Sequence, residues 1–302
     1  MGGTEADRFL NCVMRRSESD SLFRVGVVLA VSMLCPLFVA FVLYSWYEDQ
    51  QSDMELGVGL ISWTVIFYVL YLEVRGIALH RMRDAEWMGS LAAYARSRGR
   101  GTEEMDGFLG SSGVSDSGRA LAVSRAAFIF LFAFNVFLAL WMRASGIDEG
   151  SSSLISGLMP SLMVVELSVT AAYLFKAVVS HDSLQSEFTS LFVDAMGEDL
   201  GLREPMRTSF TGSRVRLWPH AVLLIVTLGL YSTFFNLLVV HKMNVHLTSQ
   251  WAYEEGLVAA MAEAEGASGV RKGEAVALSG AKAFLDLLQR GGAYACFTPI
   301  FI

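Results

Sequence analysis

Four apolar runs, at about 25–46, 57–79, 121–142 and 154–179, set the first limit on this chain. Crossing a hydrocarbon core of ~30 Å takes ~20 residues of helix, and runs of that length are too long for strands. The remainder cannot supply a water-soluble shell around them, because only 18% of the 302 residues are charged and mean hydropathy is +0.45. An all-α, polytopic helical membrane protein is expected, with the lipid bilayer as its first partner. A net charge of -7 argues against nucleic acid, which wants a basic surface.

Orientation follows from the polar segments, since Lys and Arg are retained on the cytoplasmic side. The loop after Trp46 carries Glu48, Asp49, Asp53 and Glu55 and no basic residue, and the loop after Met142 carries only Arg143. Both are expected outside. Arg8, Arg15, Arg16 and Arg24 precede the first run, Arg75 through Arg125 separate the second from the third, and Arg203, Arg207, Arg214 and Arg216 follow the fourth. The amino terminus is therefore expected in the cytoplasm of a multi-pass cell-membrane protein. The first 21 residues are polar and no small-residue cleavage site follows Trp46, so the first run reads as a retained signal anchor.

A fifth apolar region, Leu217 to Val240, admits two readings: one span, or a short hairpin broken at Thr227-Leu-Gly-Leu-Tyr231. The hairpin's arms would be roughly 12 and 15 residues, or about 18 and 22 Å, too short to reach the far surface. Gly229 supplies the backbone freedom of a tight reversal, and the hairpin is preferred because of where it places His246.

That histidine belongs to a spacing found three times. A basic residue is followed five positions later by His, four further on by a carboxylate or amide, and three further on by an aromatic. The copies are Arg75, His80, Asp84, Trp87; Lys176, His181, Gln185, Phe188; and His241, His246, Gln250, Tyr253. On a helix the last three members share one face. Each set follows an apolar arm, so His80, His181, His246, Asp84, Gln185 and Gln250 are expected where three helices leave the membrane for the cytoplasm, as interfacial anchors and interhelical hydrogen-bonding groups. Apolar residues continue at helical spacing beyond them, as in Leu184, Phe188, Leu191, Phe192 and Ala195, and a cytoplasmic helical cluster is expected.

The run TLGLY followed by HKMNVH resembles a small prokaryotic membrane-domain family marked by Thr-x-Gly-Ile-Tyr, an aromatic-rich helix, then Asn shortly before His. The likeness covers about 217–253, with Leu230 in place of Ile, and Phe234 and Phe235 where the family often has Trp. It implies a short hairpin and carries no activity with it.

The expected order is a cytoplasmic segment 1–21, hairpin 22–98, linker 99–119, hairpin 120–196, linker 197–213, short hairpin 214–265 and an amphipathic tail 266–302. The residue singled out within a span is Glu166, since a mid-bilayer carboxylate costs ~2.5–3.5 kcal/mol to insert and usually faces inward. With Asn135 and Tyr231 it could form an intramembrane polar centre; a protonated Glu166 that merely bonds a neighbouring helix is the plainer reading. One His per helix is a poor ligand supply, and Cys12, Cys35 and Cys296 have no metal spacing, so neither metal nor other cofactor is expected. Nucleophile motifs and phosphate loops are missing as well. The expectation is a non-enzymatic scaffold or accessory membrane subunit, paired with another membrane protein or with itself. A small transporter or channel using Glu166 is the alternative.

Overall fold

The computed structural model describes residues 5–20, 25–34, 37, 41, 53–111, 129–130, 133–134, 136–137, 149–206, 218–227 and 231–264. All the regular structure among them is helical, in agreement with the all-α expectation. The helices are α1 (Glu5–Met14), α2 (Arg16–Ser19), α3 (Val25–Ser32), α4 (Asp53–Ser97), α5 (Glu103–Ser111), α6 (Glu149–Leu200), α7 (Trp218–Val226) and α8 (Ser232–Ala264). Two of them, through Ile61–Ser97 of α4 and Val164–Leu200 of α6, are long and apolar enough to cross a membrane. Most of the first and third apolar runs, the turn residues Leu228, Gly229 and Leu230, and the whole 266–302 tail lie outside the described residues.

Three long helices, α4, α6 and α8, carry the architecture, and each changes character along its length. Their upper parts meet in one apolar cluster that includes Val74, Ile77, Leu174, Val178, Val239 and Met243. Their lower parts meet in a second, built on Leu91, Phe192 and Leu257, all fully buried, with Phe9 and Val13 of α1 laid against it. These buried positions lie three or four residues apart on each helix, which turns them to a single face. Between the two clusters runs a belt of buried polar residues. In the upper half the outward faces are apolar as well: Ile61, Val65 and Tyr68, one turn apart on α4, are 68, 37 and 43% exposed, and Val165 and Val169 on α6 are 56 and 63% exposed.

Between α7 and α8 the helix is interrupted and the chain turns back. His220 Nδ1 lies 3.0 Å from the Tyr231 hydroxyl and its ring stacks on Phe235 at 4.7 Å. Residues fifteen apart along one straight helix would be separated by about 22 Å. The oxygen of Thr227 accepts from the Tyr231 backbone N–H and so holds the bend.

Gly-Ser-rich composition predicts mobile linkers from Gly99 and from Gly197, and the described parts of both are ordered differently. Thr102 caps α5 by accepting the Met105 N–H at 3.2 Å, and Met105 is buried while Phe108 packs on Phe188. Helix α6 continues to Leu200, and Met206 returns to bond Thr189. Apolar residues scattered among the glycines give these segments something to bury. Gly99 and Gly201 end α4 and α6 with φ of +71° and +65°, and backbone bonds Arg100 N to Ala95 O and Leu202 N to Gly197 O close the helices. A Cβ at either glycine would meet no atom within 4 Å, so backbone conformation alone sets the cost of substitution. Gly99→Ala and Gly201→Ala should each destabilise the protein by about 1–2 kcal/mol, read as a lower thermal midpoint in detergent.

Candidate functional site

Helical spacing puts the last three members of each repeated set on one face, and the structure turns all three faces toward one another. The rings of His80, His181 and His246 form a nearly equilateral triangle with centroids 5.1, 5.2 and 5.3 Å apart. One turn further on, Asp84 meets Gln185 and Gln250. Beyond that Trp87 lies 6.3 Å from Phe188 and 6.5 Å from Tyr253. The leading residues Arg75, Lys176 and His241 are exposed. Three single positions per helix thus become three successive layers of a bundle whose long helices run the same way.

Asp84 is fully buried and collects donors from both other helices. Its Oδ1 accepts from Gln250 Nε2 at 2.6 Å, and its Oδ2 accepts from Gln185 and lies against His181 Nε2. His80 Nε2 is 3.1 Å from the same Oδ2 and 3.1 Å from His246 Nε2. The outer nitrogens face carboxylates: His80 Nδ1 meets Asp20 at 2.9 Å, and His246 Nδ1 meets Asp182 at 2.9 Å. A carboxylate can only accept, so Nδ1 carries a proton in both rings, and the inward Nε2 atoms of His80 and His181 that face Asp84 are donors by the same rule.

Arg83 seals the lower side. Its guanidinium reaches Asp20 at 3.2 Å, Asp84 at 3.3 Å and Glu254 at 2.8 Å. Asp20, just past α2, also accepts from Trp251 Nε1 at 2.7 Å, so the amino-terminal segment is stitched to both α4 and α8. Burial alone would raise the Asp20 carboxyl, but His80 and Arg83 beside it, with the Trp251 N–H, hold it below the usual range. Glu254 goes the other way. Its burial pushes its pKa up to about 7, against the pull of Arg83 and with Asp20 and Asp84 adding to the rise. Cys12 of α1 donates to the Arg83 carbonyl at 3.6 Å, and burial pushes its thiol up to about 12.

The six signature residues, His80, His181, His246, Asp84, Gln185 and Gln250, lie inside the bundle at 0–5% exposure, and hydrogen bonds between helices join them. One His per helix, a weak supply when each helix is read alone, becomes three imidazoles when three helices meet. The ligand-capable atoms of His80, Asp84, His181 and His246 all lie within 4.8 Å of one another, close enough to share one metal ion.

The other sequence candidates have separate partners. Glu166, half-buried, accepts from Trp63 Nε1 at 3.0 Å, Tyr231 meets His220, and Asn135 lies outside the described residues. Among the described residues the fully buried acid of the upper half is Glu73, which accepts from Asn236 Nδ2 at 3.4 Å, while Asn236 also donates to Ser32. Asp20, Asp182, Arg83, Glu254 and Trp251 carry no spacing signal in the sequence. Asp182 stands beside His181 and Glu254 one turn past Gln250, and only those adjacencies could have marked them. Comparison with known protein families, curated proteins and solved structures finds no match for this chain.

The sign of the Glu254 effect is fixed by its raised pKa. Its contribution to stability is full below the ordinary 4.5 and is lost as pH rises through about 7. Glu254→Gln, which has no proton to lose, should therefore melt with a flatter pH dependence between those values than the parent chain, measured by thermal unfolding in detergent.

Proposed function

We propose that this chain is a polytopic membrane protein of three hairpins that serves as a non-enzymatic scaffold or accessory subunit, its three returning helices prolonged into a cytoplasmic bundle. One observation carries the membrane part: in the upper half the outward stripes Ile61, Val65, Tyr68 and Val165, Val169 are apolar and open. Side chains like these in contiguous outward rows fit hydrocarbon, not water. The hairpins are the pairs α3 with α4, the 121–142 run with α6, and α7 with α8; the last holds the Thr227 to Tyr231 turn that resembles the Thr-x-Gly-Ile-Tyr family. The repeated His sets then mark an internal threefold repeat at the inner membrane boundary. The arginine distribution places that boundary and both termini in the cytoplasm.

The scaffold reading draws on how the polar belt uses its groups. Asp84 and the three buried histidines of the signature are each engaged with a neighbour and shut away from solvent, which suits a rigid joint between a lipid-embedded and a water-exposed bundle. A small transporter is the second reading, and what favours it is Glu73, since a buried carboxylate bonded to Asn236 at membrane depth resembles an ion-pathway residue more than the half-buried Glu166 does.

Single cysteines at 148 and 255, in a background with the three native cysteines replaced, test the arrangement. From outside intact cells a membrane-impermeant maleimide should label 148 and not 255. Labelling of 255 from outside would overturn the three-hairpin topology. Purified chain in proteoliposomes should conduct neither protons nor cations above empty vesicles; a flux abolished by Glu73→Gln would replace the scaffold with the transporter.

A further inference from the structure

The histidine triangle gathers its inward nitrogens around one buried point. With Nδ1 of His80 turned to Asp20 and Nδ1 of His246 turned to Asp182, the two Nε2 atoms face each other at 3.1 Å. His181 Nε2 and Asp84 Oδ2 close the same space. Three imidazole nitrogens and a carboxylate oxygen thus converge on one buried point, the arrangement that a single metal ion requires.

Charge leads to the same place. The buried belt contains four carboxylates, Asp20, Asp84, Asp182 and Glu254, around one guanidinium, Arg83, while Arg16 is matched by Glu255 at 3.4 Å. Lys242, one turn above His246, directs its ammonium over the Phe175 ring at 5.0 Å, and its charge also acts on Asp182. A metal cation held by the imidazoles would join Arg83 and Lys242 in offsetting these acids.

We propose that His80, Asp84, His181 and His246 bind one divalent first-row metal ion, zinc by preference, in a closed four-coordinate structural site that locks α4, α6 and α8 together. Tetrahedral zinc with ligands at about 2.0–2.1 Å has ligand atoms about 3.3 Å apart. Two of the three edges at His80 Nε2, to His246 and to Asp84, are 3.1 Å. Three imidazoles and a carboxylate, without thiolate, form a borderline donor set suited to zinc rather than to magnesium or calcium. The outer shell is already built: Asp20 and Asp182 hold two of the imidazoles by Nδ1–H, and Gln185 and Gln250 hold the Asp84 carboxylate by their amide N–H groups. All four ligands are protein groups and all are buried, which leaves no position for substrate and makes the site structural. The ion's place does not depend on the membrane orientation proposed above.

Elemental analysis of the full-length chain purified in detergent tests this. About one zinc per chain is expected. Stripping with a strong chelator should lower the thermal midpoint by several degrees; zinc should restore it and magnesium should not. His246→Ala and His181→Ala should hold less than a tenth of an equivalent, while His241→Ala, an exposed histidine five positions from His246, should keep the full ion. If the ligand variants do not fold, cobalt loaded into the stripped parent chain should give the intense visible bands of four-coordinate cobalt with nitrogen and oxygen donors. A stripped chain that takes up no zinc and keeps its midpoint overturns the site. So does zinc retained by folded His246→Ala, or cobalt bands of six-coordinate character; in the metal-free case a charged His80 ring alone would fill the centre.

Discussion

A carboxylate taken wholly out of water must find hydrogen-bond donors or remain unformed as an ion, and Asp84 finds its donors on two other helices. Gln250 comes from α8, His181 and Gln185 from α6, and Arg83 from its own helix. No shift of α6 or α8 along its axis by one residue would keep these bonds, so the Asp84 layer fixes the register of all three long helices. The apolar clusters above and below it can tolerate sliding far better, because hydrophobic contact has no direction. The layer does for this bundle what a single buried polar residue does for a coiled coil.

The amino-terminal segment gains its place through the same layer. Asp20 joins His80, Arg83 and Trp251, and Arg16 lies 5.4 Å over the Trp251 ring while it pairs with Glu255. A segment of two short helices, too small to hold any shape alone, is thereby pinned at a junction of α4 and α8. Its apolar face, Phe9 and Val13, adds to the lower cluster.

How much of this could be read in the residues follows from the physics of each signal. Helix period and length are local properties, and the sequence therefore marks α4, α6 and α8 and the common face of His80, Asp84 and Trp87. The interruption between Val226 and Ser232 was legible too, through Thr227 and Gly229. The meeting of the three faces was not legible. Histidines beside arginine look like interfacial residues when each helix is taken alone, and only the packing of three helices shows that His80, His181 and His246 share one interior. Asp20 could not be foreseen as a partner of His80, since sixty residues separate them and no period links them. The glycine-rich start of the 99–119 segment misled for a related reason: Met105 and Phe108 find a surface on α6 that composition does not reveal.

If the Asp84 layer governs helix register, the energies of its members must be coupled. A double-mutant cycle between Asp84→Ala and Gln250→Ala, read as unfolding free energy of the full chain in one detergent, measures that coupling. The account predicts that the two changes together cost about 0.5–3 kcal/mol less than the sum of each alone, the range found for neighbours in one hydrogen-bonded network. Additive losses would contradict it.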